Sequence, residues 1–367
     1  MNLKKIFKNK KIIVTGHTGF KGSWLTCWLK NLGAKVIGFS ISVPTKPSHY
    51  ISAKINKNMT DVRGDIRNLN SLKKCFKKYQ PDFVFHLAAQ SLVKKSYKNP
   101  NKTWHTNLIG TLNVLESLRE MKKKCVAVII TSDKCYKNIE QKKGYKEDDS
   151  LGGHDPYSAS KASAELLIKS YIESFFPLKK TKVIIGVARA GNVIGGGDWA
   201  QDRLIPDCVR SWSKGKKVII RNPKSTRPWQ HVLEAAGGYL CLAVNLKLNK
   251  KLHGQPFNFG PNLSKEFTVL DVMKSMNKYW NNVHWKISSD SKKKFYESGL
   301  LRLNCKKSKK ILKWQSILKL DEVMDMVSNW YSKFYQNPKN AAYNTNEQIK
   351  KYQYLMIKKG SKCAKIF

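Results

Sequence analysis

Acidic residues are scarce in this chain. Its 367 residues carry 25 Asp and Glu against 69 Lys and Arg, a formal charge of +44. Arginine is scarce too, at nine of those 69 cations. A basic excess invites a nucleic-acid or membrane-surface reading. Here the lysines run through the whole chain rather than forming one block, and Arg, the side chain suited to bidentate base contacts, is the one in short supply. The charge therefore reads as a bias on solvated faces, with no nucleic-acid partner expected. Five arginines fall between 189 and 227, among them Arg189, Arg203, Arg221 and Arg227, where a planar fork suits phosphate. No apolar run is long enough to span a bilayer. Residues 1–11 are basic but lack an apolar core and a small-residue cleavage site. A cytoplasmic protein with no membrane partner is expected. The eight cysteines form no CxxC pair and no metal-ligand spacing, so reduced thiols and no metal are expected.

What is present is a patterned α/β chain. Residues 11–15 form a short apolar run ending at glycine, which reads as a buried strand. Residues 20–32 follow as a helix stopped by Gly33. Further strands are expected at 35–41, 61–65, 82–87, 126–131 and 182–189. Helices are expected at 103–122 and 157–176. Alternation of this kind implies a doubly wound parallel sheet of Rossmann type. After Ala190 the texture changes to Trp, Pro, Arg and a Gly195-Gly196-Gly197 loop. A helix at 231–246 and a strand at 257–260 lead back toward the sheet, and amphipathic helices follow at 268–280 and 321–335. The expected division is a dinucleotide-binding domain, 1–190 plus about 231–261, and a smaller C-terminal α/β substrate domain, about 191–230 plus 262–335. Residues 336–367 are an extension, either a terminal helix or a partly ordered tail.

Two motifs carry chemistry. Gly16-His17-Thr18-Gly19-Phe20-Lys21-Gly22 lies between the first strand and the first helix. Glycine there permits a tight turn and lets backbone N–H groups approach a pyrophosphate at a helix N-terminus. The spacing is GxxGxxG. The end of the second strand, Gly38 to Pro44, holds no carboxylate to grip a ribose 2′-hydroxyl and no Arg to select a 2′-phosphate. Asp65, after the third strand, is placed to contact adenine, or else caps the next helix. The second motif is Tyr157-Ser158-Ala159-Ser160-Lys161. Residues i and i+4 share a helical face, so Lys161 can hold its charge near the phenol and lower its pKa from about 10. Tyr157 could then act as a general base on an alcohol. Ser132 ends the fifth strand, at the carboxyl edge where α/β sites form, and Asp133 and Lys134 follow it.

These segments resemble the extended short-chain dehydrogenase/reductase family, in its nucleotide-sugar branch. The residues that carry the resemblance are Thr15 to Trp24, His86-Leu-Ala-Ala-Gln90, Thr131 to Tyr136, Asp155 to Lys161, Arg189 to Trp199, Asp202 to Asp207 and Arg227-Pro-Trp-Gln-His-Val232. The resemblance implies NAD as cofactor, a homodimer or dimer of dimers built on the helices from 103 and 157, and 4,6-dehydration of a CDP-glucose substrate. It implies that Tyr157 takes the C4 hydroxyl proton, Ser132 bonds the reacting oxygen and Asp133 protonates the leaving hydroxyl. Lys134 is then either the C5 base or a cation stabilising the enolate, and Lys161 holds the nicotinamide ribose. Cofactor contacts are implied at Gly16, Thr18, Gly19, Phe20, Lys21, Gly22, Asp65, Ile66, Leu87, Ala88, Ala89, Tyr157 and Lys161. Substrate contacts are implied at Gln90, Ser91, Asn192, Arg203, Arg227 and His231, the last of which could also be a core or cap histidine. Asn107 is expected to support the site from a sheet-edge loop. A 4-epimerase, another nucleotide-sugar dehydratase and a non-catalytic basic binder are the alternatives. The Asp133-Lys134 pair argues against the epimerase, which needs no acid and base there.

Overall fold

Continuous apolar runs bounded by glycine and polar turns form the interior strands. The computed structural model describes residues 3–220, 222–262, 267–281, 283–287 and 300–365; Arg221 lies outside them. Seven parallel strands make the central sheet: β1 (Lys11–Thr15), β2 (Lys35–Ser40), β3 (Thr60–Arg63), β4 (Phe83–His86), β5 (Cys125–Ile130), β6 (Val183–Ala190) and β7 (Pro256–Phe259), in the order β7-β6-β5-β4-β1-β2-β3. Every residue of β5 and β6 is buried, as expected where helices cover both faces of a parallel sheet. Alternate residues feed the two cores. Val126, Val128 and Ile130 join one, while Ala127 and Ile129 join the other.

The helices that matter for the site are α1 (Phe20–Asn31), α2 (Leu69–Tyr79), α3 (Gly110–Arg119), α4 (Pro156–Phe175), α5 (Leu204–Trp212), α6 (Val232–Leu248), α7 (Val269–Asn277), α8 (Leu320–Gln336) and α9 (Ala341–Lys358). Two segments differ from the sequence reading, and a third takes one of the two forms expected of it. The expected helix at 103–122 begins at Pro100, capped by Asn99, and carries a π-helical turn at His105–Ile109 before α3. The α5 helix and short strand pairs such as Val193–Ile194 with Gln230–His231 fall where the chain reads only as Gly-, Pro- and Trp-rich. Residues 336–367 hold a full helix, α9. Its Tyr352 packs edge-on against Trp28 of α1, with ring centres 5.7 Å apart. Tyr352 also donates to the buried Glu234 carboxylate at 2.8 Å. The extension is thus folded onto the helix that follows the glycine loop.

Candidate active site

The glycine loop is shaped by close approach. Gly16 adopts φ +76°, and a Cβ there would lie 2.7 Å from the Ala88 nitrogen. A Cβ on Gly22 would lie 2.1 Å from the Gly16 carbonyl oxygen. The loop is therefore pressed against the residues after β4 and folded on itself, which only glycine permits. Gly19 is the N-cap of α1 and provides no side-chain cap, leaving first-turn N–H groups to an anion. Lys21 stands in that turn. Burial, then the charge of Arg203, lowers its pKa to about 8 against the opposing pull of Asp133 and Asp198. Half-buried cations beside a glycine loop fit the pyrophosphate of a dinucleotide, whose charge would offset their desolvation.

The outer end of this cradle contains a residue that sequence reasoning missed. His17 is wholly buried and contacts Ser40 Oγ at 2.9 Å and Asp61 at 3.0 Å. Its ring occupies the space where a Cβ on Gly38 would stand, 2.3 Å away. Asp61 on β3 supplies the carboxylate that the end of β2 lacks. It accepts from Tyr50 at 2.5 Å and Arg63 at 2.6 Å. Burial works against its charge, but Tyr50, His17 and Arg63 outweigh it and hold the carboxyl below its usual range. Only the strand register, which places Asp61 opposite Gly38, could have signalled this.

Several expected cofactor residues are held by local contacts. Thr18 donates to the Ser42 carbonyl at 2.7 Å. Asp65 forms an ion pair with Arg67 and is not the cap of α2; Asn68 fills that role. Ile66 lies directly beneath Gly110, and its carbonyl accepts from Asn113. Leu87, Ala88 and Ala89 follow β4, half-buried, with the Ala88 N–H donating to Thr15 Oγ1.

The reactive set forms where β5 ends and α4 begins. Asp155 caps α4, accepting from the N–H groups of Tyr157 and Ser158 at 3.0 Å each, and Pro156 takes the N1 position. Tyr157 and Lys161 are consequently in the first turns, both buried. Ser132 stands two residues past β5, caps the short turn Asp133–Cys135 and donates to Asp133 at 3.0 Å. Its hydroxyl also acts to lower the pKa of the Tyr157 phenol. Asp133 is buried and faces Gly191, where a Cβ would stand 3.2 Å from its carboxylate oxygen. Burial raises the Asp133 pKa against Lys134, Ser132 and Lys21. A carboxyl inclined to keep its proton is suited to giving it away as an acid. Lys134, half-buried, is its nearest cation in sequence.

One electrostatic expectation is corrected. The Tyr157 phenol is not lowered in the free protein. Burial, with the Asp133 charge, pushes it up to about 12, and Ser132 and Arg203 only partly oppose this. Lys161 is itself lowered to about 8 by burial and by Lys21. Desolvation therefore sets the direction for both groups.

Among the expected substrate residues, Arg203 spans the cleft, donating to Asp198 at 2.8 Å and Ser91 at 3.1 Å. Asn192 is half-buried beside Gly191, and Arg227 is half-buried in the stretch before the Gln230–His231 pair. Gln90 is turned inward, bonding Leu92 and Thr103. His231 is wholly buried, accepts from the Leu233 N–H as the cap of α6, and lies edge-on to Trp24. It is a core capping residue, which corrects its assignment to the substrate. Arg189 is likewise not a free phosphate fork, because its Nε and Nη2 close on Glu165 at 2.9 Å each and its Nη1 donates to the Tyr136 hydroxyl and the Glu147 carbonyl. Asn107 sits on the π-helical turn rather than in a loop. From there it bonds the Gln90 backbone in both directions and donates to Ser160.

The model for the family described as GDP-mannose 4,6 dehydratase matches residues 13–327. The chain belongs to this family. It is 42% identical over 332 residues to a CDP-glucose 4,6-dehydratase of Salmonella typhimurium, covering 89% of this chain and 92% of that protein. It is 28% identical to a CDP-paratose 2-epimerase of Salmonella typhi, over 74% and 85% of the two chains. Among solved structures, an epimerase from Methanothermobacter thermautotrophicus superposes with a TM-score of 0.77 at 23% identity, over 92% and 96% of the chains. A UDP-glucuronic acid 4-epimerase from Bacillus cereus gives 0.74 at 22%, over 89% and 100%. The seven-stranded Rossmann-type sheet is the one these structures share.

Proposed function

We propose that this chain converts CDP-glucose to CDP-4-dehydro-6-deoxyglucose and water, with NAD as a cofactor regenerated in each turnover. The observation that carries the reading is a buried Asp133, hydrogen-bonded to Ser132 at 3.0 Å and raised in pKa by that burial. An oxidation and re-reduction at one carbon needs Tyr157 and Ser132 but no second acid. Elimination of a hydroxyl does need one. The 42% identity to a CDP-glucose 4,6-dehydratase supports the same choice of sugar nucleotide.

When bound, NAD would accept the C4 hydride and, once water has left, give it back at C6 as a proton returns to C5. The cradle of Gly16, Gly19 and Gly22, the α1 N-terminus and Lys21 would hold its pyrophosphate, and Lys161 its ribose. Tyr157 takes the proton of the C4 hydroxyl while Ser132 holds that oxygen. The 4-keto group then acidifies the C5 hydrogen. Asp133 protonates the C6 hydroxyl as it leaves as water. Lys134 acts on the C5 side, as the amine that receives the proton or as the cation that stabilises the enolate. Arg203, Asn192 and Arg227 are assigned to the diphosphate and sugar, with Ser91 as the partner that Arg203 exchanges. Residues 1–190 and about 231–261 form the cofactor half, and about 191–230 and 262–335 the sugar-nucleotide half. We place a homodimer contact on the 100–119 and α4 helices, where Leu166 and Phe175 stand exposed. A cytoplasmic location accords with helices none of which is long and apolar enough to cross a membrane, among the described residues.

The test is mass spectrometry of CDP-glucose incubated with protein and NAD, beside UDP-, GDP- and dTDP-glucose and a Tyr157→Phe control. Loss of one water from the CDP sugar alone, abolished in the control, is expected. Isomerisation without water loss would move the assignment to an epimerase.

A further inference from the structure

The buried ion pair between Glu165 and Arg189 is the strongest charged feature that the proposed mechanism leaves unused. Both side chains are about 4% exposed. Glu165 Oε1 accepts from the Thr131 hydroxyl at 2.5 Å and from Arg189 Nε at 2.9 Å, and Oε2 accepts from Arg189 Nη2 at 2.9 Å. Thr131 immediately precedes Ser132. Glu165 lies one helical turn beyond Lys161 on α4. One carboxylate thus joins the end of β5, the β6 residue Arg189 and the helix that carries Tyr157 and Lys161. Arg189 continues the linkage, donating to the Tyr136 hydroxyl at 2.8 Å, and Tyr136 donates to Asn258 of β7 at 2.8 Å.

We propose that Glu165 is a positioning residue: through Thr131 it sets the Ser132–Asp133 turn against the Tyr157–Lys161 face of α4, and its charge stands behind the Lys161 ammonium. The proposal rests on the dehydratase reading for its substrate but not for its geometry. A buried pair is rarely needed for stability alone, since apolar residues of similar volume often serve as well. This pair instead stands where a small displacement changes the chemistry, one residue from Ser132 and one turn from Lys161. Lys161 is faced by Lys21 from α1, His86 from β4, Cys135 from the turn after β5, and Tyr157 and Glu165 on its own helix. Burial and Lys21 disfavour its proton, and Glu165 is the carboxylate that opposes them.

The experiment compares four variants with the wild type. Thr131→Val removes the hydroxyl link and keeps the ion pair. Glu165→Gln removes the charge, and Glu165→Asp restores it on a shorter arm. A double Glu165→Met, Arg189→Met replaces the pair with apolar volume, so a folded protein lacking the network remains available. Measured are kcat and KM for CDP-glucose against pH, NAD affinity against pH, and Tm. Thr131→Val is expected to lower kcat about tenfold, with KM within twofold, because misplacement near 1 Å costs up to about a hundredfold. With Glu165 neutral or absent, the alkaline limbs of kcat/KM and of NAD affinity are expected to move about one pH unit lower, and Glu165→Asp to recover part of that shift. Folded Glu165→Gln and double variants with unchanged pH limbs and unchanged kcat would overturn the proposal and leave the pair a packing feature. A wild type that binds NAD but dehydrates no sugar would overturn the substrate reading instead, and the NAD profile would still decide the role of Glu165.

Discussion

Replacing Gly16 with alanine tests whether the glycine loop is a cofactor cradle or only a turn. At φ +76° an alanine costs roughly 1–2 kcal/mol of backbone strain. Its Cβ would also stand 2.7 Å from the Ala88 nitrogen and 2.8 Å from its Cα. Both are backbone atoms, which cannot rotate aside, so the loop must retreat by about 0.7 Å to reach ordinary contact near 3.4 Å. That movement displaces the α1 N-terminus from the residues after β4. Gly33 is the control, because it has φ +79° but its nearest neighbour is the flexible Lys8 side chain at 3.3 Å, with the Lys8 backbone no closer than 3.7 Å. Gly33→Ala carries the same strain at the far end of α1. By calorimetry, both variants should lose a few degrees of Tm. By isothermal titration, Gly16→Ala alone should bind NAD at least about tenfold more weakly, some 1.4 kcal/mol. A folded Gly16→Ala protein with wild-type NAD affinity, or equal weakening by Gly33→Ala, would refute the cradle.

Other outcomes follow from the same coordinates. Asp133→Asn should keep C4 oxidation but lose proton delivery, so kcat for dehydration falls by about 10²–10⁴; mass spectrometry should then find the 4-keto hexose before water loss, and wild-type product yield would count against Asp133 as the acid. Tyr352→Phe leaves a buried oxygen of Glu234 without that donor and should destabilise the protein by about 1–3 kcal/mol in urea unfolding, whereas a disordered extension would show no change. Burial lowers His49 and His231 to about 3, and His86 similarly, with Lys161 adding to the effect. These histidines bind protons more tightly when unfolded, so their contribution is complete above about pH 6.5 and is lost as pH falls toward 3. At pH 5 each should cost about 2 kcal/mol, so Tm should drop steeply from pH 7 to 5, and His49→Gln should flatten that drop.

Much of the architecture was legible because local pattern and global fold agree. The β1 run, Gly16 and the stop at Gly33 carry their signals within a few residues. So do Asp155 and Pro156, which start α4 and place Tyr157 and Lys161 on one face. The π-helical turn at His105–Ile109 was not legible, because its residues show no breaker. Neither was α5, whose amphipathic pattern is hidden in a segment rich in Trp, Pro and Arg. The role of Arg189 was misread for a related reason. Its neighbours in sequence suggest phosphate, but its partner Glu165 lies 24 residues away on another element.

By itself the sequence determined the doubly wound class, the glycine turn between β1 and α1, the placing of Tyr157 and Lys161 on one helix face and the family to which the chain belongs. These depend on residue types at short, regular spacings, which the backbone geometry of a strand, a turn or a helix converts directly into position. Tertiary structure alone decided which charges are buried and which partners they meet. It pairs Asp61 with His17, closes Arg189 on Glu165, encloses His231 as a cap and folds the extension onto α1. It also raises the Tyr157 phenol where sequence reasoning lowers it. Desolvation depends on everything packed around a group, and that is settled only when distant segments come together.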